Sequence, residues 1–270
     1  MSTNPRKHCR EIMESLVPAP IWAKNIAFSK ELKAMIEGHR LAKHDLLTKF
    51  EHAEFGIAAM QAVHLEFRYA FAQNFTDALI QAMVTAEQLE PRQGALGKVT
   101  ARFLIQLNVL DELGFLPNSE AGSDYAGDPH NAHYVQFDNV LSDIGLTREQ
   151  VQAYTPSAAA IKARRAVDGV RADHALLSVT LAVAETIFTR FAGPWAKSVS
   201  VSSEVDTSKG YHAIHVEHDG QFIDDNHSED MWFVFRQVAE PDRYAEIRAH
   251  VASTLDAWAA FCDALCGQTV

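Results

Sequence analysis

Apolar residues recur every three to four positions along most of the chain, the spacing that gives a helix one buried face. The pattern predicts helices over 60–89 (one long or two abutting), 95–115, 131–146, 157–167, 173–193, from 210 onward and over 241–267. Asp173 stands where an N-cap is needed, Gly114 and Gly145 close two segments, and Gly193-Pro194 is expected to stop the helix that Asp173 starts. Between the segments lie the breakers LEPRQG, LPNSEAGSDYAGDP, YTPS and VSSEVDTSKG. The one stretch of β character, SVSVSSEV, is short and polar. No repeat, low-complexity tract or linker interrupts the pattern. The expectation is an all-α bundle of about seven to nine helices. It forms a single domain over 1–270, with its core over about 45–266 and with 1–20 peripheral.

Composition narrows the function classes. A chain of 270 residues, 47% hydrophobic, can bury one large core. A formal net charge of −11, with no basic run beyond ARR at 163–165, excludes an extended nucleic-acid surface. No apolar run reaches the roughly 18 residues of a membrane span, and MSTNPRKHCREIMESLV lacks the apolar core of a secretory signal. A cytoplasmic protein off the membrane is expected. Cys9 is isolated, and Cys262 and Cys266 lack a second pair to complete a zinc site, so all three read as ordinary thiols.

Four acids stand in apolar surroundings. In GYHAIHVEHDGQF, His215 and Asp219 are four apart, on one helical face beside Ala213, Ile214, Val216 and Phe222. They suit a shared cation or a His–Asp hydrogen bond, with His212, Glu217 and His218 outward. Glu66 in HLEFRYAF is either a ligand or a partner for Arg68. Of the adjacent Asp111 and Glu112, about 100° apart on a helix, one points inward. Glu185 in LAVAETIF is either an orienting group behind a ligand or a buried hydrogen-bonding acid. Residues 116–131, carrying Asp124, Tyr125, Asp128 and His130, form a loop long enough to cover a site. Carboxylates and imidazoles turned inward from several helices suit iron or manganese. The Glu-x-x-His pair of ferritin-like sites is missing from the sequence, as are the phosphate-loop, nucleophile-elbow and His-Glu-x-x-His signatures.

The ordered set HLEFRYAFAQNF, NVLDELGF and YHAIHVEHD resembles the heme-oxygenase-like iron-containing oxidases and oxygenases, relatives of the thiaminase-II/PqqC fold, over about residues 45–235. The resemblance implies metal ligands at Glu66, Glu112, His215 and Asp219, with Glu112 bridging. It also departs. Tyr69 and Gln73 stand where that family has a histidine after its first glutamate, and Phe222 stands three residues after Asp219. His227 substitutes only if the helix breaks between Gly220 and Asn226, since eight helical residues rise about 12 Å. His64 is the other substitute.

The resemblance thus implies Fe(II), one or two ions, with Mn as the alternative metal, O2 as co-substrate, and a small organic substrate such as an amino acid, amine, fatty acid or aromatic acid. A substrate carboxylate would look to Arg68, Arg102 or Lys209. A cofactor-independent enzyme of the thiaminase-II kind, or a metal-free binding protein on the same scaffold, stays open. Apolar helix faces serve either the core or a homodimer.

Overall fold

The computed structural model describes residues 4–116, 126–215 and 223–267, the side chains of 223–226 excepted. Its helices are α1 (Pro5–Leu16), α2 (Ala19–Gly38), α3 (Asp45–Glu51), α4 (Ile57–Phe67), α5 (Phe75–Thr85), α6 (Glu90–Glu112), α7 (His133–Asp143), α8 (Arg148–Ala153), α9 (Ala158–Asp168), α10 (His174–Ser202), α11 (Tyr211–Ile214), α12 (Ile223–Val238) and α13 (Tyr244–Cys266). Strand structure among the described residues is one antiparallel two-residue pair, Phe115–Leu116 with Ala126–Gly127. The chain is an all-α helical bundle.

Helix α10 is the axis of the bundle, with α3, α5, α12 and α13 packed around it; α6 bridges α5, α1 and α12. It is buried on several sides at once: Leu177, Val179, Leu181, Ala182 and Val183 are all inaccessible. Asp173 caps it, accepting from the amides of Ala175 and Leu176 at 3.0 Å. The expected stop at Gly193-Pro194 does not occur. Proline removes one ladder hydrogen bond, but burial of Trp195, Ala196 and Val199 carries the helix on to Ser202. The SVSVSSEV stretch, expected to have β character, is thereby helical through Ser202. The expectation that no segment suits a membrane also needs correction. Residues of α10 are apolar enough to span one by length and composition, yet 67% of the most apolar window is buried against other helices.

The 60–89 segment is two helices joined by a π-turn, Arg68–Ala72. LEPRQG does break the helical run: Pro91 sits in a first turn, and Gly94, at φ 68°, ψ −174°, interrupts α6 just before the helix predicted from 95, although no open loop forms. The first helix, expected at the periphery, packs on α6 and α12 with Cys9 and Met13 in the core. It also sends Arg6 and Arg10 to Asp230 of α12, whose side chain is fully buried; Arg10 donates at 2.6 and 3.0 Å.

Two predictions follow from these buried groups. Removing one partner of a buried ion cluster strands the others, so Asp230→Ala is expected to destabilise the fold by about 3–5 kcal/mol in urea unfolding. Burial lowers the pKa of His64 and of His174 to about 4. Below the ordinary value of 6.5 the unfolded chain takes up protons that these native histidines refuse. Stability is therefore unaffected above that pH and falls as pH drops from 6.5 toward 4, by about 1.4 kcal/mol per unit per histidine. Unfolding curves that superimpose between pH 7 and 5 would refute this.

Candidate functional site

The C-terminal end of α6 is where the acidic and imidazole groups meet. Leu104, Ile105 and Val109 hold that face of the helix in the core, so Asn108 and Glu112, one turn apart, face inward with them. Glu112 is buried. Its Oε1 accepts from His133 Nδ1 at 3.0 Å and its Oε2 from the Thr76 hydroxyl at 3.1 Å. A carboxylate cannot donate, so His133 Nδ1 carries the proton of this bond. His133 Nε2 lies 3.8 Å from Asp111 Oδ2, and His227 Nε2 lies 3.4 Å from the same oxygen. The His133 and His215 rings meet edge-on at 5.2 Å. Burial alone would raise the Glu112 pKa. The surrounding imidazoles of His133, His215 and His227, together with the His133 hydrogen bond, outweigh it and hold the carboxyl below its usual value.

Gly114 makes this meeting geometric. It closes α6 at φ +83°, and a Cβ there would sit 2.4 Å from the carbonyl oxygen of Asp128 and 2.7 Å from the amide of Ala132. Asp128 N donates to Gly114 O at 3.1 Å, and the short strand pair clamps the loop ends. The chain therefore re-enters directly over the end of α6, and His133, first residue of α7, lands on Glu112. Asp128 and His130 pair with each other at the exposed surface, at 2.8 Å, away from the site. Asp124 and Tyr125 lie outside the described residues.

A cavity opens from this cluster. Glu112, His133 and His215, with Tyr211 against His215, form its polar end; Glu185 and Tyr134 also line it, and the rest of its wall is Phe, Trp, Leu, Val, Ile, Ala and Cys262. It encloses about 1010 Å³ of empty space, its open mouth included. Glu185 is itself buried, in the α10 stretch that also contributes Ala184, Ile187 and Phe188 to the wall.

Of the residues singled out in the sequence, Glu112 and His215 share this cavity end, and His227 stands beside Asp111 within range of the Glu112 charge. Helix α11 ends at Ile214, His215 is its C-cap and α12 starts at Ile223, so the two histidines sit on separate helical elements. Asp219, with Glu217 and His218, lies outside the described residues.

Glu66 goes elsewhere, which corrects the expected ligand set. Its carboxylate accepts from the Ser157 hydroxyl at 2.7 Å and the Ser157 amide at 3.3 Å, at the N-terminus of α9, where a negative charge is favoured by the helix dipole. Tyr69 and Gln73 follow on that face: the Arg164 guanidinium stacks on the Tyr69 ring at 4.9 Å and reaches Gln73 at 3.4 Å. This face of α4 and its π-turn is a seam against α9. Nor does Glu66 pair with Arg68, which binds Asp138 at 2.7 Å and the Tyr134 hydroxyl at 2.7 Å. His64 donates from Nδ1 to the Met60 carbonyl at 2.8 Å and meets His212 Nε2 at 3.4 Å. His212, expected outward, is therefore buried.

Sequence reasoning did not single out His133, which opens a helix four residues before the fully buried Phe137. That placement on the apolar face of α7 was the available signal. Cys262, read as an ordinary thiol, lines the cavity; it continues the Trp258, Phe261, Leu265 stripe of α13. Among the described residues no three His, Cys, Asp or Glu side chains already stand around one point as a metal-binding group. The donors gathered here are carboxylates and imidazoles, groups that can hold a transition metal, in an otherwise apolar chamber.

No protein-family model matches the chain, and no curated protein sequence does. Its fold is similar to that of a CADD-like protein of unknown function from Nostoc punctiforme, with TM-score 0.65 and 14% identity over 92% of this chain and 99% of that one. A second crystal structure of that CADD-like protein gives TM-score 0.60 and 16% identity over 92% and 96%. It is also similar to a TenA homolog from Pseudomonas syringae pv. tomato, with TM-score 0.58 and 12% identity over 91% and 93%. At these identities the likeness is one of fold.

Gly114→Ala is expected to strain a left-handed residue and push a methyl into the returning loop at once. The cost should exceed the roughly 1 kcal/mol of a simple Gly-to-Ala change at positive φ. Thermal unfolding measures it, and a melting temperature equal to the parent's would contradict the role given to this turn.

Proposed function

We propose that this chain is a non-heme iron-dependent oxidase or oxygenase that holds one or two Fe(II) ions, or Mn, at the polar end of the cavity and uses O2 on an apolar organic substrate. The observation that supports this reading is the convergence of Glu112, His133 and His215 on one end of a cavity that is otherwise apolar. Glu112, His133, His215 and His227 would hold the metal, with Asp219 supplied from outside the described residues. Fe(II) bound there supplies the reduction of O2 and the oxidation of a substrate held beside it.

The chain's own residues prepare that chemistry. Glu112 stays ionised at neutral pH because imidazoles surround it. It also holds His133 by its Nδ1–H, which orients the ring so that Nε2 would face a metal. Phe67, Phe71, Phe188, Trp195 and Phe261 keep water from the chamber and offer ring faces to the substrate. A cofactor-independent enzyme would instead draw on Cys262. That thiol lines the cavity, but burial raises its pKa far above neutrality, so it stays protonated and a poor nucleophile.

Anaerobic titration of the metal-free protein with Fe(II), then exposure to O2 and absorbance spectroscopy, tests the reading. Uptake of one or two equivalents is expected. It should weaken by about tenfold or more in Glu112→Ala, His133→Ala, His215→Ala and Asp219→Ala, and stay at the parent value in Glu66→Gln. Absence of uptake, or uptake indifferent to Glu112→Ala, would sink it.

A further inference from the structure

Helix α6 has a solvent side as well as the inner side that carries Glu112. Leu96, Val99, Phe103 and Leu113 run along that outer side, each 40–52% exposed, and half-buried Leu107 and Leu110 fill the gap before Leu113. Helix α5 packs beside α6 and adds the exposed Ile80 and Val84. The two helices run antiparallel. Arg102 donates to the Met83 carbonyl at 2.8 Å near the end of α5, and the Thr76 hydroxyl reaches Glu112 near its start. Val84, whose carbonyl also takes Arg102 at 3.5 Å, thus flanks the α6 stripe.

The stripe has little charge of its own to solvate. Between Leu96 and Leu113 the charged residues are Lys98, Arg102, Asp111 and Glu112. Lys98 pairs with Glu90, Arg102 is held by the α5 carbonyls, Asp111 lies 3.4 Å from His227 Nε2, and Glu112 is buried. The extent of the face matches what one protomer gives to a dimer. At about half exposure these side chains leave on the order of 500 Å² of apolar surface uncovered. A standard interface takes about 800 Å² from each partner, somewhat over half of it apolar. The net charge of −11 says what covers it. An anionic lipid surface or a nucleic acid is repelled, and a neutral apolar face is where two such chains can meet.

We infer that this face of α5 and α6 joins two copies of the chain about a two-fold axis near Phe103. Phe103 lies near the middle of the stripe, so a self-complementary contact sets α6 antiparallel to its copy. Leu96 and Val99 of one protomer then meet Leu113 and Leu110 of its partner, with the two Phe103 rings at the centre. Asn108 and Glu112 stay on the inner side of the helix, so each cavity belongs to one protomer. The inference stands whether or not that cavity holds iron.

Sedimentation equilibrium of the full chain tests it, and twice the chain mass is expected. Phe103→Glu and Val99→Glu should each raise the dimer dissociation constant by about tenfold or more, since each sets a charge against its own symmetry copy. Val201→Glu, at an exposed position on the end of α10 that Lys197 ties to α3, should leave the constant unchanged. Both stripe positions are exposed in one protomer, so the glutamates should fold as the parent does, and far-UV circular dichroism checks that. A parent protein that is monomeric at about 100 μM overturns the inference. So does a dimer that survives both stripe substitutions, or one that Val201→Glu dissociates equally. A monomer that instead floats with phosphatidylcholine vesicles gives the face to a lipid surface and overturns it as well.

Discussion

An ionised carboxylate with almost no water around it costs several kcal/mol unless donors surround it. Glu112 is such a group, and much of the arrangement around it is explained by its need for partners. They arrive from well-separated parts of the chain: Thr76 at the start of α5, His133 at the start of α7, His215 at the end of α11 and His227 in α12. None is near Glu112 in sequence. The bundle brings them together because α6 and α12 both pack with other core helices and because Gly114 folds the chain straight back over the end of α6.

The same helix α12 is held by two further anchors. Asp230, three residues after His227, is gripped by Arg6 and Arg10 of α1, and Trp232 donates from its indole nitrogen to Thr186 of α10 at 3.1 Å. Rotation of α12 would break the arginine cluster and the indole bond together. His227 therefore faces α6 because two unrelated polar anchors fix the helix on which it rides. A site assembled from several helices depends on such anchoring more than on the rigidity of any one of them.

Local features were the legible ones. The cap at Asp173 and the closing glycines at Gly114 and Gly145 depend on a few neighbouring residues, and the sequence pattern carries them. Pro194 misled because burial of the residues after it overrides a local signal. Glu112 and Glu66 looked alike in the sequence, each an inward candidate acid in an apolar helix. They differ only in what the tertiary fold sets opposite: imidazoles for one, the N-terminus of α9 for the other. Ser157 is 91 residues from Glu66, and no periodicity reports that pairing. His133 was obscured for a related reason. Its place follows from the turn at Gly114 and the strand pair that returns the chain over α6, and neither is written in hydrophobic spacing.

Helix α10 has a consequence for how the molecule is made. Its apolar surface is covered by α12 and α13, both of which follow it in the chain, as well as by α3 and α5, which precede it. During synthesis this long, largely buried helix therefore leaves the ribosome before half of its cover exists. The nascent chain must either hold α10 against α3 and α5 alone or expose its remaining face until the last turns of α13 emerge. Completion of the core, and with it the cavity wall that α10 and α13 share, belongs to the final stage of folding, after translation has delivered Trp258, Phe261 and Leu265.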